Sequence, residues 1–230
     1  MLKAASPVWL FDLDNTLHNA SRHIFPHLHR SMVTYIRDHL NVDEHDATRL
    51  REDYWQRYGA TLLGLMRHHG TDPHHFLRHT HQFPDLERML VFERGLRAML
   101  RRLPGRKIVF SNAPLRYSEA VLEIGGIGDC FEAIYSVERI RFQPKPAIGG
   151  FRHLLCSERL AGHRCIMVED SLSNLRTAKR LGMQTVWLSR STRQPACVDI
   201  RLLSILDLPR HLRRLRTQDP SPSGGACPST

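Results

Sequence analysis

Residues 8–17, with the sequence VWLFDLDNTL, constrain the fold of this chain more than any other segment. An apolar run of this length is typical of a strand buried inside a parallel sheet. Asp12 and Asp14 end the run, and side chains two residues apart on a strand point the same way, so both carboxylates are expected at one side of the strand's carboxyl end. Two carboxylates held this close repel unless a cation or a shared proton separates them. The pair therefore favours Mg²⁺-assisted phosphoryl transfer over a purely structural role.

The length and composition indicate one globular domain with a sizeable insertion. The chain has 230 residues, of which 41% are hydrophobic and 24% are charged, as in ordinary globular proteins. No apolar run approaches the roughly 20 residues that cross a membrane, and the N-terminus lacks the layout of a signal peptide. The five cysteines are scattered without a CxxC pair, which favours reduced thiols. We therefore expect a cytoplasmic protein that makes no membrane contact.

The chain is strongly basic, with a formal net charge of +10 that arginine mostly carries. A basic surface attracts anionic ligands and can bind nucleic acid non-specifically. No nucleic-acid-binding motif accompanies the charge, so we expect solvated arginines and no specific nucleic-acid partner. Lysine is rare in the chain, and Lys145 therefore stands out within its Gln-Pro-Lys-Pro segment.

Strand and helix patterns alternate along most of the chain. Helices are predicted at residues 93–103, 115–124, 148–158 and 172–181. Short apolar runs predict strands at residues 8–13, 107–110, 132–135, 164–168 and 184–188. This alternation favours an α/β fold with a parallel sheet that helices cover on both faces.

One long helical block interrupts the alternation and predicts an inserted cap. Residues 21–81 contain helical patterns and no convincing strand, and Asp72 and Pro73 predict the start of one of these helices. We assign residues 1–17 and 89–216 to the α/β core and residues 18–88 to the helical cap. Residues 217–230 are rich in Pro, Ser and Gly, and we expect them to be disordered.

Four short polar signals follow one another along the chain, and three of them lie at the ends of predicted strands. Each alone has an ordinary structural explanation, as a turn, a surface loop or a charge at a helix N-terminus. In a parallel sheet, however, the carboxyl ends of the strands meet at one edge. Together the signals predict a single site, and they are Asp12-x-Asp14-x-Thr16, Ser111-Asn112, Lys145 and Glu169-Asp170-Ser171.

These signals resemble the four motifs of the haloacid dehalogenase-like (HAD) hydrolase superfamily, over nearly the whole chain up to about residue 190. The resemblance implies a Rossmann-like core in which Asp12 is the nucleophile and Asp14 is the general acid and base. Dehalogenases of the superfamily use the same nucleophile without a metal, and a leaving halide needs no acid. Asp14 therefore favours a phosphatase, while a sugar-phosphate mutase with a similar helical cap stays open.

The same resemblance implies a Mg²⁺ cofactor and the remaining residues of the site. Mg²⁺ prefers oxygen ligands, and a lysine adds a positive charge that stabilises the phosphoryl group during transfer. The implied phosphate-binding residues are Ser111, Asn112 and Lys145. The implied metal ligands are Asp12, the main-chain carbonyl of Asp14, and Asp170, with Glu169 behind them or as an alternative ligand.

The cap sequence narrows the expected substrate. Residues 58–66, YGATLLGLM, look like the cap signature of pyrimidine 5′-nucleotidases. This resemblance implies nucleoside monophosphates such as UMP and CMP as substrates. Tyr58 and Thr61 are candidates to face the active site, one stacking on the base and one hydrogen-bonding to it. The alternative is helix packing, which the spacing of Tyr58, Leu62, Leu65 and Met66 also fits. The chain departs from that branch at His18 and Leu63, where Tyr and Arg are usual.

Other functions stay open from the sequence. One is hydrolysis of another small metabolite, such as a sugar phosphate or phosphoglycolate. Another is a non-catalytic, basic, histidine-rich module that binds metal or nucleic acid. The pairs His23/His27 and His75/His79 have the spacing that holds Zn²⁺ on a helix, although solvated helix faces are the expected role. Both a monomer and a homodimer fit the sequence.

Overall fold

The computed structural model describes residues 6–216. Residues 217–230, for which the sequence predicts disorder, lie outside the described residues. In the described part of the chain, no helix combines the length and the apolar character that a membrane span requires. The four cysteines in this part are free thiols.

A six-stranded parallel sheet forms the centre of the molecule. Its strands are β1 (Val8–Phe11), β2 (Arg106–Phe110), β3 (Ala133–Tyr135), β4 (Cys165–Glu169), β5 (Gln184–Leu188) and β6 (Ile200–Leu202). The strand order is β3-β2-β1-β4-β5-β6, and every neighbouring pair is parallel. This order is typical of doubly wound α/β proteins, which bind ligands beyond the carboxyl ends of their strands. The predicted α/β fold with a parallel sheet is confirmed.

The central strand is apolar on both sides because side chains cover both faces of the sheet. Trp9 and Phe11 belong to the hydrophobic core on one face, while Val8 and Leu10 belong to the core on the other. All four residues are at most 2% exposed. The unbroken apolar run in the sequence therefore reflects burial on both faces.

The helices divide into a group before β2 and a group that alternates with the later strands. They are α1 (Ile24–Leu40), α2 (Glu44–Tyr58), α3 (Thr61–His69), α4 (Pro73–Thr80), α5 (Leu86–Met89), α6 (Leu96–Arg102), α7 (Leu115–Ile124), α8 (Ile148–Ser157), α9 (Leu172–Arg180) and α10 (Leu212–Arg216). Asp72 caps α4 as predicted, because its carboxylate accepts a hydrogen bond from the backbone N–H of His74 at 2.9 Å.

Helices α1 to α4 have a hydrophobic core of their own. Leu62 and Leu65 of α3 are buried in this core together with Ile36 of α1. Val137 and Phe142, from the loop after β3, pack into the same core. This loop therefore joins the helical bundle to the sheet, a contact that no pattern in the sequence indicates. The domain boundaries at residues 17/18 and 88/89 stay a prediction.

Several predicted element bounds are wrong by a few residues. Strand β1 ends at Phe11 rather than at residue 13, because the chain then turns and the Leu13 carbonyl accepts hydrogen bonds from the following backbone N–H groups. Helix α6 begins at Leu96 rather than at residue 93, since Gly95 before it has a left-handed backbone with φ of 91°. The short edge strand β6 is absent from the predicted elements, because three residues give too little pattern.

Candidate active site

The carboxyl ends of β1, β2 and β4 meet at one edge of the sheet. Phe11 pairs with Val109 of β2 on one side and with Val168 of β4 on the other. Asp12 comes next, and its backbone N–H donates to the carbonyl of Val168 at 3.0 Å. Parallel pairing thus brings Asp12 level with Glu169, which ends β4. The edge therefore gathers polar residues that lie far apart in the sequence.

Lys145 lies buried between two carboxylates at this edge. Its Nζ donates to Asp12 Oδ1 at 2.7 Å and to Glu169 Oε2 at 2.8 Å. The residue is 2% exposed. Burial alone lowers the pKa of the ammonium group, but the charges of Asp12 and Glu169 outweigh it and raise the pKa of Lys145 above its ordinary value. Lys145 is therefore a fixed positive charge beside Asp12.

Glu169 is held by donors on both of its carboxylate oxygens. Oε1 accepts from the backbone N–H groups of Asp170 and Ser171, each at 3.1 Å. Oε2 accepts from Lys145 and from the side-chain amide of Asn174 at 2.9 Å. Burial opposes ionisation, but Lys145 and these donors hold the pKa of Glu169 below its ordinary value. The contacts of Glu169 thus hold its carboxylate beside Lys145.

Asp12 and Asp170 carry negative charge that the single lysine does not offset. Burial, and then the charge of Glu169, raises the pKa of Asp12 to about 7. Burial, a hydrogen bond with Glu169 and the charge of Asp12 raise the pKa of Asp170 to about 8. Ligand oxygens of Asp12, Glu169 and Asp170 all lie within 4.8 Å of one another. Oxygen donors this close fit a hard divalent cation such as Mg²⁺, which favours the ionised carboxylates.

The predicted histidine pairs do not belong to such a group. Among residues 6–216, two groups of three bring ligand atoms within 4.8 Å of one another, and the second is Asp43, His45 and Asp46. Two of those three residues are exposed, as acidic surface groups commonly are. The buried group at the sheet edge is therefore the stronger candidate for a metal.

Ser111 and Asn112 follow β2, and Asn112 contacts the loop that carries Lys145. The side chain of Asn112 makes two hydrogen bonds to the backbone of Lys145: its Nδ2 donates to the carbonyl at 2.9 Å, and its Oδ1 accepts from the N–H at 2.8 Å. Ser111 is 1% exposed, and its Oγ accepts from the backbone N–H of Ala113 at 3.0 Å. The structure thus gives Asn112 a role in placing Lys145, and leaves the hydroxyl proton of Ser111 for another acceptor.

Asp14 lies in the loop that follows β1, two residues after Asp12, and its side chain contacts Tyr117 and His18. Its Oδ1 accepts a hydrogen bond from the hydroxyl of Tyr117 at 2.8 Å. His18 Nε2 lies 2.9 Å from the same oxygen. The turn after β1 brings His18 back to this position, since the backbone N–H of His18 donates to the carbonyl of Leu13 at 3.4 Å. The second aspartate is therefore held by hydrogen bonds rather than by an ion pair with lysine.

The predicted cap residues lie within the helical bundle. The hydroxyl of Tyr58, the last residue of α2, pairs with His68 Nε2 at 2.6 Å. Thr61 begins α3, and its Oγ1 donates to the carbonyl of Arg51 at 3.0 Å. Both hydroxyl groups thus link α2 to α3. Contact of Tyr58 and Thr61 with a substrate stays a prediction.

The segment between these two residues borders the catalytic edge. Gly59 has a left-handed backbone with φ of 78°, and a Cβ on it would come within 3.3 Å of Pro146 Cδ. Pro146 directly follows Lys145 in the chain. The cap therefore contacts the loop that supplies the lysine of the site.

The sequence patterns do not predict that His18, Tyr117 and Asn174 contact the aspartates and the glutamate of the site. Tyr117 lies in the first turn of α7, which follows β2, and Asn174 in the first turn of α9, which follows β4. A helix that follows a strand of a parallel sheet begins at the edge where ligands bind. Polar residues in the first turn of such helices are therefore a usable signal.

Comparison with solved structures places the fold among known hydrolases. A HAD phosphatase from Thermococcus onnurineus matches with a TM-score of 0.63 and 20% identity, over 90% of this chain and 97% of that one. CbbY from Rhodobacter sphaeroides, in complex with phosphate, matches with a TM-score of 0.62 and 22% identity, over 88% of this chain and 96% of that one. At these identities the matches show a shared fold.

Sequence comparison adds a relative from yeast and a family. Phosphate metabolism protein 8 of Saccharomyces cerevisiae is 27% identical over 195 residues. The match covers 78% of this chain but 60% of the yeast protein, so this chain spans less than two thirds of that relative. The model of the haloacid dehalogenase-like hydrolases matches residues 8–182, a range that contains both aspartates after β1 and the acidic pair after β4. The chain therefore belongs to the haloacid dehalogenase-like hydrolases.

Proposed function

We propose that this protein is a Mg²⁺-dependent phosphomonoester hydrolase that acts on pyrimidine nucleoside monophosphates in the cytoplasm. The observation that carries the proposal is the contact of Asp12 with the buried Lys145 at 2.7 Å, two residues before the hydrogen-bonded Asp14. A carboxylate nucleophile, a fixed positive charge and a second carboxyl group are what hydrolysis of a phosphate ester needs.

The residues act in two steps. In the first, an oxygen of Asp12 attacks phosphorus, the bond from phosphorus to the leaving oxygen breaks, and Asp14 gives its proton to that oxygen. In the second, water attacks the phosphorus of the aspartyl-phosphate and gives a proton to Asp14, which frees Asp12 and releases phosphate. Lys145 offsets the charge of the phosphoryl group in both steps. Asp12, Asp170 and the main-chain carbonyl of Asp14 would hold Mg²⁺, which would supply further positive charge to offset that of the phosphoryl group.

The choice of nucleotide follows from the cap. Residues 58–66 look like the cap signature of pyrimidine 5′-nucleotidases, and Gly59 within that segment lies against Pro146. This position supports the proposal that Tyr58 and Thr61 lie near the leaving group. The names of the compared proteins, a HAD phosphatase and a phosphate metabolism protein, support phosphate chemistry in general.

A phosphate-release screen tests the proposal. The purified protein with excess Mg²⁺ is offered UMP, CMP, AMP, ribose 5-phosphate and phosphoglycolate. We expect the highest kcat/KM for UMP or CMP, and no turnover after the metal is removed with EDTA. Equal rates for all nucleotides would contradict the proposed pyrimidine specificity. A preference for phosphoglycolate would instead indicate a phosphatase of small metabolites.

Asp12→Asn tests the nucleophile. We expect turnover of every phosphate ester to fall by at least about 10⁴-fold, as for other removed nucleophiles. Asp129→Asn is the matched control, because this exposed carboxylate pairs with Arg97 and Arg101 away from the site. Full turnover by Asp12→Asn refutes the assignment of Asp12.

A further inference from the structure

A compact hydrogen-bonded network surrounds one oxygen of Asp14. Tyr117 donates its hydroxyl to Oδ1 at 2.8 Å, and His18 Nε2 lies 2.9 Å from the same oxygen. The Tyr117 oxygen and His18 Nε2 are themselves 3.3 Å apart. Two donors therefore converge on Oδ1, and neither has a part in the two steps proposed above.

Both donors are fixed by burial and by aromatic packing. His18 is 3% exposed and Tyr117 is 4% exposed. The ring of Phe92 lies 5.8 Å from that of His18, and the rings of Phe83 and His81 lie 5.2 Å and 5.9 Å from that of Tyr117. Packing of this kind leaves few alternative rotamers. The two donors are thus held in place before any substrate binds.

Tyr117 and the ring of His81 that packs on it lie in a buried environment close to the two aspartates. Burial, and then the charge of Asp14, raises the pKa of Tyr117 far above its ordinary value, and the charge of Asp12 acts in the same direction. The hydroxyl of Tyr117 therefore keeps its proton and can donate it to Asp14. Burial lowers the pKa of His81 to about 4.

The contacts of His18 show which ring nitrogen carries the proton of this hydrogen bond. The oxygens of an ionised Asp14 only accept, so His18 Nε2 donates to Oδ1 at 2.9 Å. His18 Nδ1 is buried and has no hydrogen-bond partner within residues 6–216. His18 therefore contacts Asp14 as a hydrogen-bond donor through Nε2.

We propose that His18 and Tyr117 are positioning residues that hold Oδ1 of Asp14 and leave Oδ2 to carry the proton that goes to the leaving oxygen. This inference depends on the proposed function, in which Asp14 is the general acid. When the proton leaves Oδ2, Asp14 becomes a carboxylate, and both hydrogen bonds to Oδ1 strengthen because the acceptor is now charged. The network therefore directs the proton and stabilises the group that gives it up.

The consequence is a dependence on the leaving group. A poor leaving group, such as the phenolate from phenyl phosphate, needs a proton from Asp14 as its bond to phosphorus breaks. The 2,4-dinitrophenolate ion leaves without one. Loss of a positioning donor should therefore slow the hydrolysis of phenyl phosphate much more than that of 2,4-dinitrophenyl phosphate. A general loss of structure should slow the hydrolysis of both esters.

Tyr117→Phe is the main variant, since it removes one oxygen atom. We expect its kcat/KM to fall about tenfold on phenyl phosphate and less than about threefold on 2,4-dinitrophenyl phosphate. The tenfold loss is smaller than the roughly 10²–10⁴-fold that a general acid contributes, because Asp14 itself is kept. The ratio kcat/KM reports the steps up to the first phosphoryl transfer, so slow hydrolysis of the intermediate does not hide the effect. Tyr35→Phe is the matched control, because Tyr35 is similarly buried and its hydroxyl bonds His75 Nδ1 at 2.8 Å within the cap.

His18 gives an independent second test if Tyr117→Phe does not fold. His18→Phe should show the same dependence on the leaving group, and His18→Gln, which keeps an N–H donor, should restore part of the rate on phenyl phosphate. Equal losses on both substrates, or no loss in a folded variant, overturn the inference. If the unaltered protein releases phosphate from none of UMP, CMP and the two aryl esters, the proposed function fails. If it hydrolyses both esters, a negative result concerns His18 and Tyr117 alone.

Discussion

Two sides of the loop after β1 hold aspartates that are two residues apart, and they do so by different means. On one side, Asp12 contacts the ammonium group of the buried Lys145 at 2.7 Å, with Glu169 behind it. On the other side, Asp14 accepts a hydrogen bond from the neutral Tyr117 at 2.8 Å and lies 2.9 Å from His18. Asp12 is thus held by an ion pair with Lys145, whereas Asp14 is held by oriented hydrogen bonds to Tyr117 and His18.

In the proposed function, this difference separates two tasks. Attraction between charges falls slowly with distance, so the Lys145 side can stabilise any phosphoryl group that reaches it. A hydrogen bond weakens steeply when its angle changes, so the Asp14 side sets a direction. Changes on the Lys145 side should affect every substrate, and changes on the Asp14 side should affect those that need an acid.

Lys145→Met should have the largest effect on both activity and stability. It leaves Asp12 and Glu169 as buried carboxylates without their cation, and breaking such a pair costs about 3–5 kcal/mol. Turnover should fall by about 10²–10³-fold on every phosphate ester, since the positive charge in contact with Asp12 is gone. Urea denaturation gives the free energy of unfolding, and steady-state rates on phenyl and 2,4-dinitrophenyl phosphate give the activity.

Lys179→Met is the matched control for that change. Lys179 Nζ also contacts a carboxylate, Asp199 Oδ1 at 2.6 Å, but both side chains are partly exposed. An exposed pair contributes at most about 1 kcal/mol, and turnover should stay within twofold of the unaltered protein, about the reproducibility of such rates. If turnover by Lys145→Met also stayed within twofold of the unaltered protein, Lys145 would contribute to folding alone.

The acidic cluster of Asp12, Glu169 and Asp170 should make the free energy of unfolding depend on pH. The pKa of Asp12 is raised from 3.8 to about 7 and that of Asp170 from 3.8 to about 8. In this range the folded protein binds protons that the unfolded chain has lost, so the two groups make the free energy of unfolding fall as pH rises from about 4 to about 8. Urea denaturation in EDTA at several pH values measures this fall.

At high pH, Mg²⁺ should restore part of the free energy of unfolding that the ionised carboxylates cost. A cation that binds the ionised carboxylates at a hundredfold excess over its Kd raises the free energy of unfolding by about 2.7 kcal/mol. At pH 5 protons compete for the same oxygens, and the gain should be smaller. Asp170→Asn removes one of the two titrating groups and a ligand, so it should flatten the pH dependence and reduce the effect of Mg²⁺. An unchanged slope in Asp170→Asn contradicts the role of the cluster.

The acidic half of the site could be predicted because its residues follow strands. An apolar run followed by Asp12, and another followed by Glu169 and Asp170, suffices once the sheet is known to be parallel. The contact of Lys145 with both carboxylates depends on a loop, which the sequence resemblance indicates but periodicity does not.

The rest of the site depends on packing that leaves no local pattern. His18 reaches Asp14 only because the chain turns after β1, and Tyr117 reaches it from a helix about a hundred residues later. The cap is similar: its helices follow from periodicity, but its contact with the core depends on Val137 and Phe142 in an irregular loop. The fold class and the position of Asp12 are therefore easier to predict than the side chains that surround Asp14.

The smallest expected effect concerns Thr61, at the boundary between cap and site. Thr61 is 5% exposed and donates its hydroxyl to the carbonyl of Arg51, so Thr61→Val should lower the free energy of unfolding by about 1 kcal/mol. Since that proton already has an acceptor, KM for UMP should stay within about twofold, which is under 0.5 kcal/mol of binding energy. A tenfold rise in KM for UMP with no change for phenyl phosphate would instead show that Thr61 turns toward the base. That result would add Thr61 of the cap to the oriented hydrogen-bonding groups around Asp14. Recognition of the base and protonation of the leaving group would then depend on neighbouring side chains.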